Sequence, residues 1–86
     1  VARHEVRVDD EVVSLTATEF KILHQLAAHP GRAFTREQLL NRVLGMGVVV
    51  VDRNIDVHIR SVRKKLGDAA QLIQTIRSVG YRILDN

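Results

Sequence analysis

The sequence predicts an α+β domain in which a β-hairpin, three helices and a closing β-hairpin follow one another. Three observations carry that reading. Two capping boxes, "TATE" at residues 16–19 and "TREQ" at residues 35–38, each precede apolar residues spaced at helical period. A third helical pattern runs through "NIDVHIRSVRKKL", residues 54–66, and is basic on the face away from its apolar stripe. Short runs rich in valine or isoleucine occupy both ends of the chain and are broken by turn-forming residues.

At the start, "HEVRV" (4–8) and "EVVSL" (11–15) flank Asp9 and Asp10, which predicts a hairpin. Its turn lacks the glycine that most easily takes a positive φ. The first box then opens a helix: the Thr16 hydroxyl can accept from the Glu19 N–H while the Glu19 carboxylate accepts from the free N–H of Thr16. Phe20, Leu23, Leu26 and Ala27 form its expected core stripe, with Ile22 at the margin, and His29, Pro30 and Gly31 end it. Thr35 and Gln38 open a second helix over about residues 35–44, with Leu39, Leu40, Val43 and Leu44 inward and Gly45 just past its end. "MGVVVVD" (46–52) reads as an unusually apolar extended loop. In the third helix, about 100° per residue groups Ile55, Ile59, Val62 and Leu66 in one arc. Arg53, Val57, Arg60, Ser61 and Lys64 fall opposite, His58 and Lys65 on one flank, Asp56 and Arg63 on the other. After Gly67, "LIQTI" and "YRIL" read as strands around a turn at "RSVG", with Gly80 the expected positive-φ residue.

Composition narrows the function. The 86 residues contain no cysteine, which excludes disulfides and thiolate metal sites and is compatible with a reducing cytoplasm. The longest apolar run, residues 48–51, is too short to cross a bilayer, so no membrane partner is expected. His4, His24, His29 and His58 lack zinc-ligand spacing, and there is no phosphate-binding glycine loop, so neither a cofactor nor an enzyme activity is expected. The net charge of +3 lies in the second half of the chain, where five lysines and arginines fall between Arg53 and Lys65.

A helix with such a face can lie in the major groove of double-stranded DNA, its cations meeting phosphates. A merely solvated basic face is the competing explanation. Val57 favours the groove, because an apolar side chain at the centre of that face can touch a thymine methyl group. Arg77, at the tip of the last hairpin, can reach a minor groove. Thr35 is explained by capping alone, whereas Arg36 beside it, at a helix N-terminus, suits a phosphate.

These residues resemble a known family. "LTATEFKIL", "FTREQLLNRVLG", "DRNIDVHIRSVRKKLG" and "IQTIRSVGYRI" occur in the order and at the spacing of the winged-helix effector domain of OmpR/PhoB-type response regulators. The resemblance implies a winged helix-turn-helix fold and a sequence-specific DNA-binding transcription factor of a two-component system. It makes residues 53–66 the recognition helix, with Val57, Arg60, Ser61 and Lys64 in the major groove. Arg36, Arg53, His58 and Arg63 would lie near phosphates, and Thr75 and Arg77 would form the DNA-contacting wing. It also implies a receiver domain elsewhere in the full-length protein, tandem occupancy of direct repeats by an otherwise monomeric fragment, and contact of loop 46–52 with RNA polymerase.

The chain departs from the family pattern in four places. Leu44 stands where several relatives have tryptophan, Ser61 where some have a base-contacting arginine, and "RSVGY" where the wing usually reads Arg-Gly-x-Gly-Tyr. The opening sheet of the family generally has four strands, whereas two precede Thr16, so residues 1–86 are expected to be one domain entered part-way. The rival reading is a winged-helix protein-interaction module that uses the apolar 46–52 loop.

Overall fold

A computed structural model describes residues 4–84. The expected domain bounds of 1–86 extend to residues 1–3 and 85–86, which lie outside the described residues. The elements are β1 (Glu5–Val8), β2 (Glu11–Ser14), α1 (Ala17–Ala27), β3 (Phe34–Thr35), α2 (Arg36–Gly45), α3 (Ile55–Leu66), a 3-10 helix (Gly67–Leu72), β4 (Ile73–Ile76) and β5 (Gly80–Ile83). This is the predicted α+β order with two additions, β3 and the 3-10 helix.

Strands β1 and β2 pair antiparallel with Val8 opposite Glu11, leaving Asp9 and Asp10 as a two-residue loop. Both aspartates take positive φ, 48° and 68°, the backbone that a type I′ hairpin loop demands. Thr16 then caps α1 as expected: its hydroxyl accepts from the Glu19 N–H at 3.1 Å, and Glu19 Oε1 accepts from the Thr16 N–H at 3.0 Å.

The core face of α1 differs from the expected stripe. Ile22 and Leu26 are fully buried, while Phe20 and Leu23 are half-buried and Ala27 is exposed. The helix packs on two sides. Ile22 and Leu26 enter the helical core, each worth about 1.5–3 kcal/mol in apolar burial. Phe20, Leu23 and Ala27 instead line an apolar groove shared with Val6 and Val8 of β1 and Ile83 of β5. A single-stripe reading cannot divide one helix between two apolar neighbours.

Helix α2 carries the second capping box, with Thr35 Oγ1 to Gln38 N at 3.0 Å and Gln38 Oε1 to Thr35 N at 2.9 Å. Gly45 is its last residue rather than the first beyond it; the left-handed position falls two residues later, at Gly47 with φ 82°. The valine loop alternates: Val48 is half-buried and Val50 buried, while Val49 and Val51 are 85% and 94% exposed. Helix α3 starts at Ile55, so Arg53 precedes it, and Asn54 is the cap, accepting from the Asp56 N–H at 3.0 Å. Ile55, Ile59, Val62 and Leu66 are all buried, as the wheel predicts.

The two-residue β3 had no readable pattern, yet it completes the second sheet, of order β3-β5-β4. Phe34 pairs with Tyr81 and Thr35 with Gly80. Gly80 is not at positive φ; Ser78 takes that conformation, at 66°. Glycine is needed at 80 for closeness, since a Cβ there would lie 2.0 Å from the Phe34 carbonyl oxygen.

Candidate nucleic-acid interface

The outward face of α3 is set by burial of the opposite one. Arg60 and Lys64 are exposed, and Val57, about one turn before Arg60, is 42% exposed. Ser61 lies on the same side of the wheel but is half-buried beside the Glu19 carboxylate of α1. Lys65 donates to that carboxylate at 2.7 Å. Burial pushes the Glu19 carboxyl up, but hydrogen bonds from Lys65, Ser61 and the Thr16 backbone outweigh it, and the net shift is down. Ser61 and Lys65 therefore tie one edge of α3 to α1, while Val57, Arg60 and Lys64 stay outward.

The entry to α3 is tied down by short-range bonds. Asp52 Oδ1 accepts from the Asn54 N–H at 2.9 Å, and His58 Nε2 lies 2.6 Å from the Asp52 carbonyl oxygen. Arg53, exposed, sits between these two anchors. His58 is thus engaged with backbone at the mouth of the helix.

A second network links α2, α3, β4 and β5. The register of β3 with β5 sets Tyr81 opposite Phe34, two residues before Arg36, the first residue of α2. Arg36 Nε donates to Asp56 Oδ1 at 2.6 Å, and the Tyr81 hydroxyl donates to the same oxygen. The Arg36 and Arg63 guanidinium carbons lie 5.3 and 5.5 Å from the Tyr81 ring centroid, within cation–π range. Arg63 also donates to the Ile73 carbonyl at 2.9 Å and to Thr75 Oγ1 at 2.8 Å, which fastens α3 to β4. The Tyr81 and Arg36 hydrogen bonds hold the Asp56 carboxyl below its ordinary value. Burial, then the hydrogen bond to Asp56, raises the Tyr81 phenol, and the Asp56 hydrogen bond raises Arg36.

The wing is the β4–β5 hairpin. Its tip is closed by a Val79 N–H to Ile76 carbonyl bond of 3.0 Å, and Arg77 projects there exposed. Thr75, in β4 and two residues before Arg77, is exposed but already accepts from Arg63.

The fold therefore brings Val57, Arg60 and Lys64 onto one face and carries Arg77 on a separate hairpin. Arg36 and Arg63 converge on Tyr81. Sequence reasoning missed Tyr81 and the role of Asp56, because the two are 25 positions apart and only the folded chain brings them together. Among the described residues no group of three or more His, Cys, Asp or Glu could hold a metal. No described helix is long and apolar enough to cross a membrane.

Comparison with known proteins agrees with this architecture. Residues 10–83 match the family described as "Transcriptional regulatory protein, C terminal". The phosphate regulon transcriptional regulatory protein PhoB of Escherichia coli (strain K12) is 48% identical over 81 residues, which cover 92% of this chain and 35% of PhoB. The chain thus spans about a third of the length of the curated relatives it matches. Among solved structures, the DNA-binding domain of the response regulator AdeR, in complex with an intercistronic region, superposes with a TM-score of 0.77 at 33% identity. That match covers 96% of this chain and 87% of AdeR's. The Klebsiella pneumoniae RstA DNA-binding domain, in complex with the RstA box, gives 0.75 at 36% identity, covering 93% and 82%. With its capped helices, its three-stranded wing sheet and its outward cationic helix, the chain belongs to this family as a winged-helix effector domain of the OmpR/PhoB type.

Proposed function

We infer that the domain binds double-stranded DNA in a sequence-specific manner and so controls transcription. The observation that carries this is the front of α3, where Val57, Arg60 and Lys64 are exposed while four aliphatic residues grip its back. Val57, Arg60, Ser61 and Lys64 read the major groove, with Ser61 at its edge. Arg36, Arg53, His58 and Arg63 meet phosphates, and Thr75 and Arg77 carry the wing to the minor groove. AdeR and RstA domains of the same fold are solved with DNA, which supports the reading.

In the full-length protein a receiver domain governs this one, the setting is the cytoplasm, and no bond is made or broken. The chain is a monomer alone and sits in tandem on direct repeats. RNA polymerase is met through loop 46–52, where Val49 and Val51 stand almost wholly in solvent. The same two valines favour the second reading, a protein-interaction module in which the basic helix serves only solubility.

Alanine at Arg60 and at Arg36 separates the roles. On a duplex selected from random sequence by the unaltered protein, Arg60→Ala costs about 1–3 kcal/mol, with a smaller loss on unselected DNA. Arg36→Ala weakens both and lowers the slope of log K against log salt by about one. Equal losses for Arg60→Ala on both duplexes would overturn the base-contact role. Absence of any salt-dependent complex would favour the protein-interaction reading.

A further inference from the structure

Asp56 is a carboxylate set among the cations of the proposed DNA face. Its Oδ1 receives Arg36 and Tyr81 together. Arg60 lies one helical turn further on, close enough for its charge to act on the carboxyl. Arg63 shares the Tyr81 ring. The pair is open to solvent, with the Arg36 and Asp56 side chains 46% and 41% exposed, so a DNA phosphate can reach it. Nε is the Arg36 nitrogen that bonds the carboxylate, which leaves donors on the outer nitrogens of the guanidinium.

A carboxylate in this place has two effects on a polyanion. It repels every phosphate that approaches Arg36, whatever the base sequence. It also fixes the direction of Arg36 through a charge-assisted bond and attracts Arg60 along the helix, which limits the arrangements the two cations sample. Repulsion is felt most on DNA bound through phosphates alone, because charge supplies nearly all of that affinity. On a preferred site the ordered cations offset it.

From this geometry we propose that Asp56 is a positioning residue that sets sequence discrimination, suppressing phosphate-only binding by the Arg36, Arg60 and Arg63 cluster while orienting Arg36 and Arg60. The proposal rests on the DNA-binding reading above. It makes the acid at the start of the recognition helix part of the selectivity, although it carries the wrong charge for affinity.

The test compares Asp56→Asn and Asp56→Ser with the unaltered chain on two duplexes: one selected from a random pool by the unaltered protein, and poly(dI-dC). Melting by circular dichroism establishes that each variant is folded at the assay temperature, and either folded variant suffices. Both should bind poly(dI-dC) about three- to tenfold more tightly, with a steeper salt slope, and change on the selected duplex by less than about threefold. Asp56→Glu should restore most of the ratio. Asp68→Asn, an equal charge change at an exposed residue of the 3-10 helix, should leave it alone. A purely structural role would weaken both duplexes in parallel. A ratio within about twofold of the original, or an equal fall with Asp68→Asn, would overturn the proposal. If the unaltered chain shows no preference for its selected duplex, the DNA-binding reading fails and takes the proposal with it.

Discussion

Gly80 and Ser78 stand two residues apart in the wing and obey opposite constraints. Gly80 has an ordinary backbone conformation but no room, its missing Cβ position lying 2.0 Å from the Phe34 carbonyl oxygen. Ser78 has room at an exposed tip but takes φ 66°, where a side chain is strained. Gly80→Ala should therefore force β3 away from β5 around the fully buried Phe34 and cost about 2–4 kcal/mol, read as a lower urea midpoint at unchanged slope. Ser78→Gly should stabilise by about 0.5–1 kcal/mol, because relief of the left-handed strain exceeds the entropy that glycine adds to the unfolded chain. Its melting temperature should rise by about 2–8 °C. A fall for Ser78→Gly would mean that the serine side chain makes a contact that compensates its backbone.

At the scale of elements, the joint between α1 and α3 is held by one carboxylate with two duties. Glu19 caps its own helix through Thr16 and receives Lys65 from α3. Its side chain is 4% exposed, against 37% for Lys65, so removing the lysine leaves a nearly buried charge while little is lost from the lysine side. Lys65→Met should destabilise by about 1–2 kcal/mol, below the cost of breaking a fully buried pair because water reaches the lysine end. Glu19→Gln in that background should recover part of the loss, and a cycle of the two substitutions in urea measures it. Both capping boxes and the inward arc of α3 were legible because each lies within a few residues of chain, where spacing alone decides geometry. The second face of α1 and the strand Phe34–Thr35 were not legible. Each depends on β5, dozens of residues away, and a two-residue strand has no period to read. The same distance hid Tyr81, whereas Arg60 and Lys64 could be placed from the wheel alone.

Over the whole molecule, the two stabilised carboxylates tie folding to pH in the same direction. Glu19 and Asp56 both ionise below their ordinary values of 4.5 and 3.8 in the folded chain, so the unfolded chain binds protons first as acid is added. Their contribution is fully present near neutrality. It declines as pH falls through the ordinary carboxylate range, and it is gone once the lowered folded values are passed. The two differ in shielding. Asp56 and Arg36 are open to solvent, and roughly 1 M salt, with a Debye length of about 3 Å, should reduce the charge part of their share, while the Tyr81 and Arg36 hydrogen bonds, the larger causes of the shift, persist. Glu19 is covered and should keep most of its own. Melting temperatures taken from pH 7 to pH 3 should therefore fall less steeply for Glu19→Gln than for the unaltered chain at either salt. Asp56→Asn should flatten the curve at low salt and, to a smaller extent, at high salt. If Asp56→Asn were as flat in high salt as in low, the Arg36–Asp56–Tyr81 network would be acting through its hydrogen bonds alone, with no share from charge.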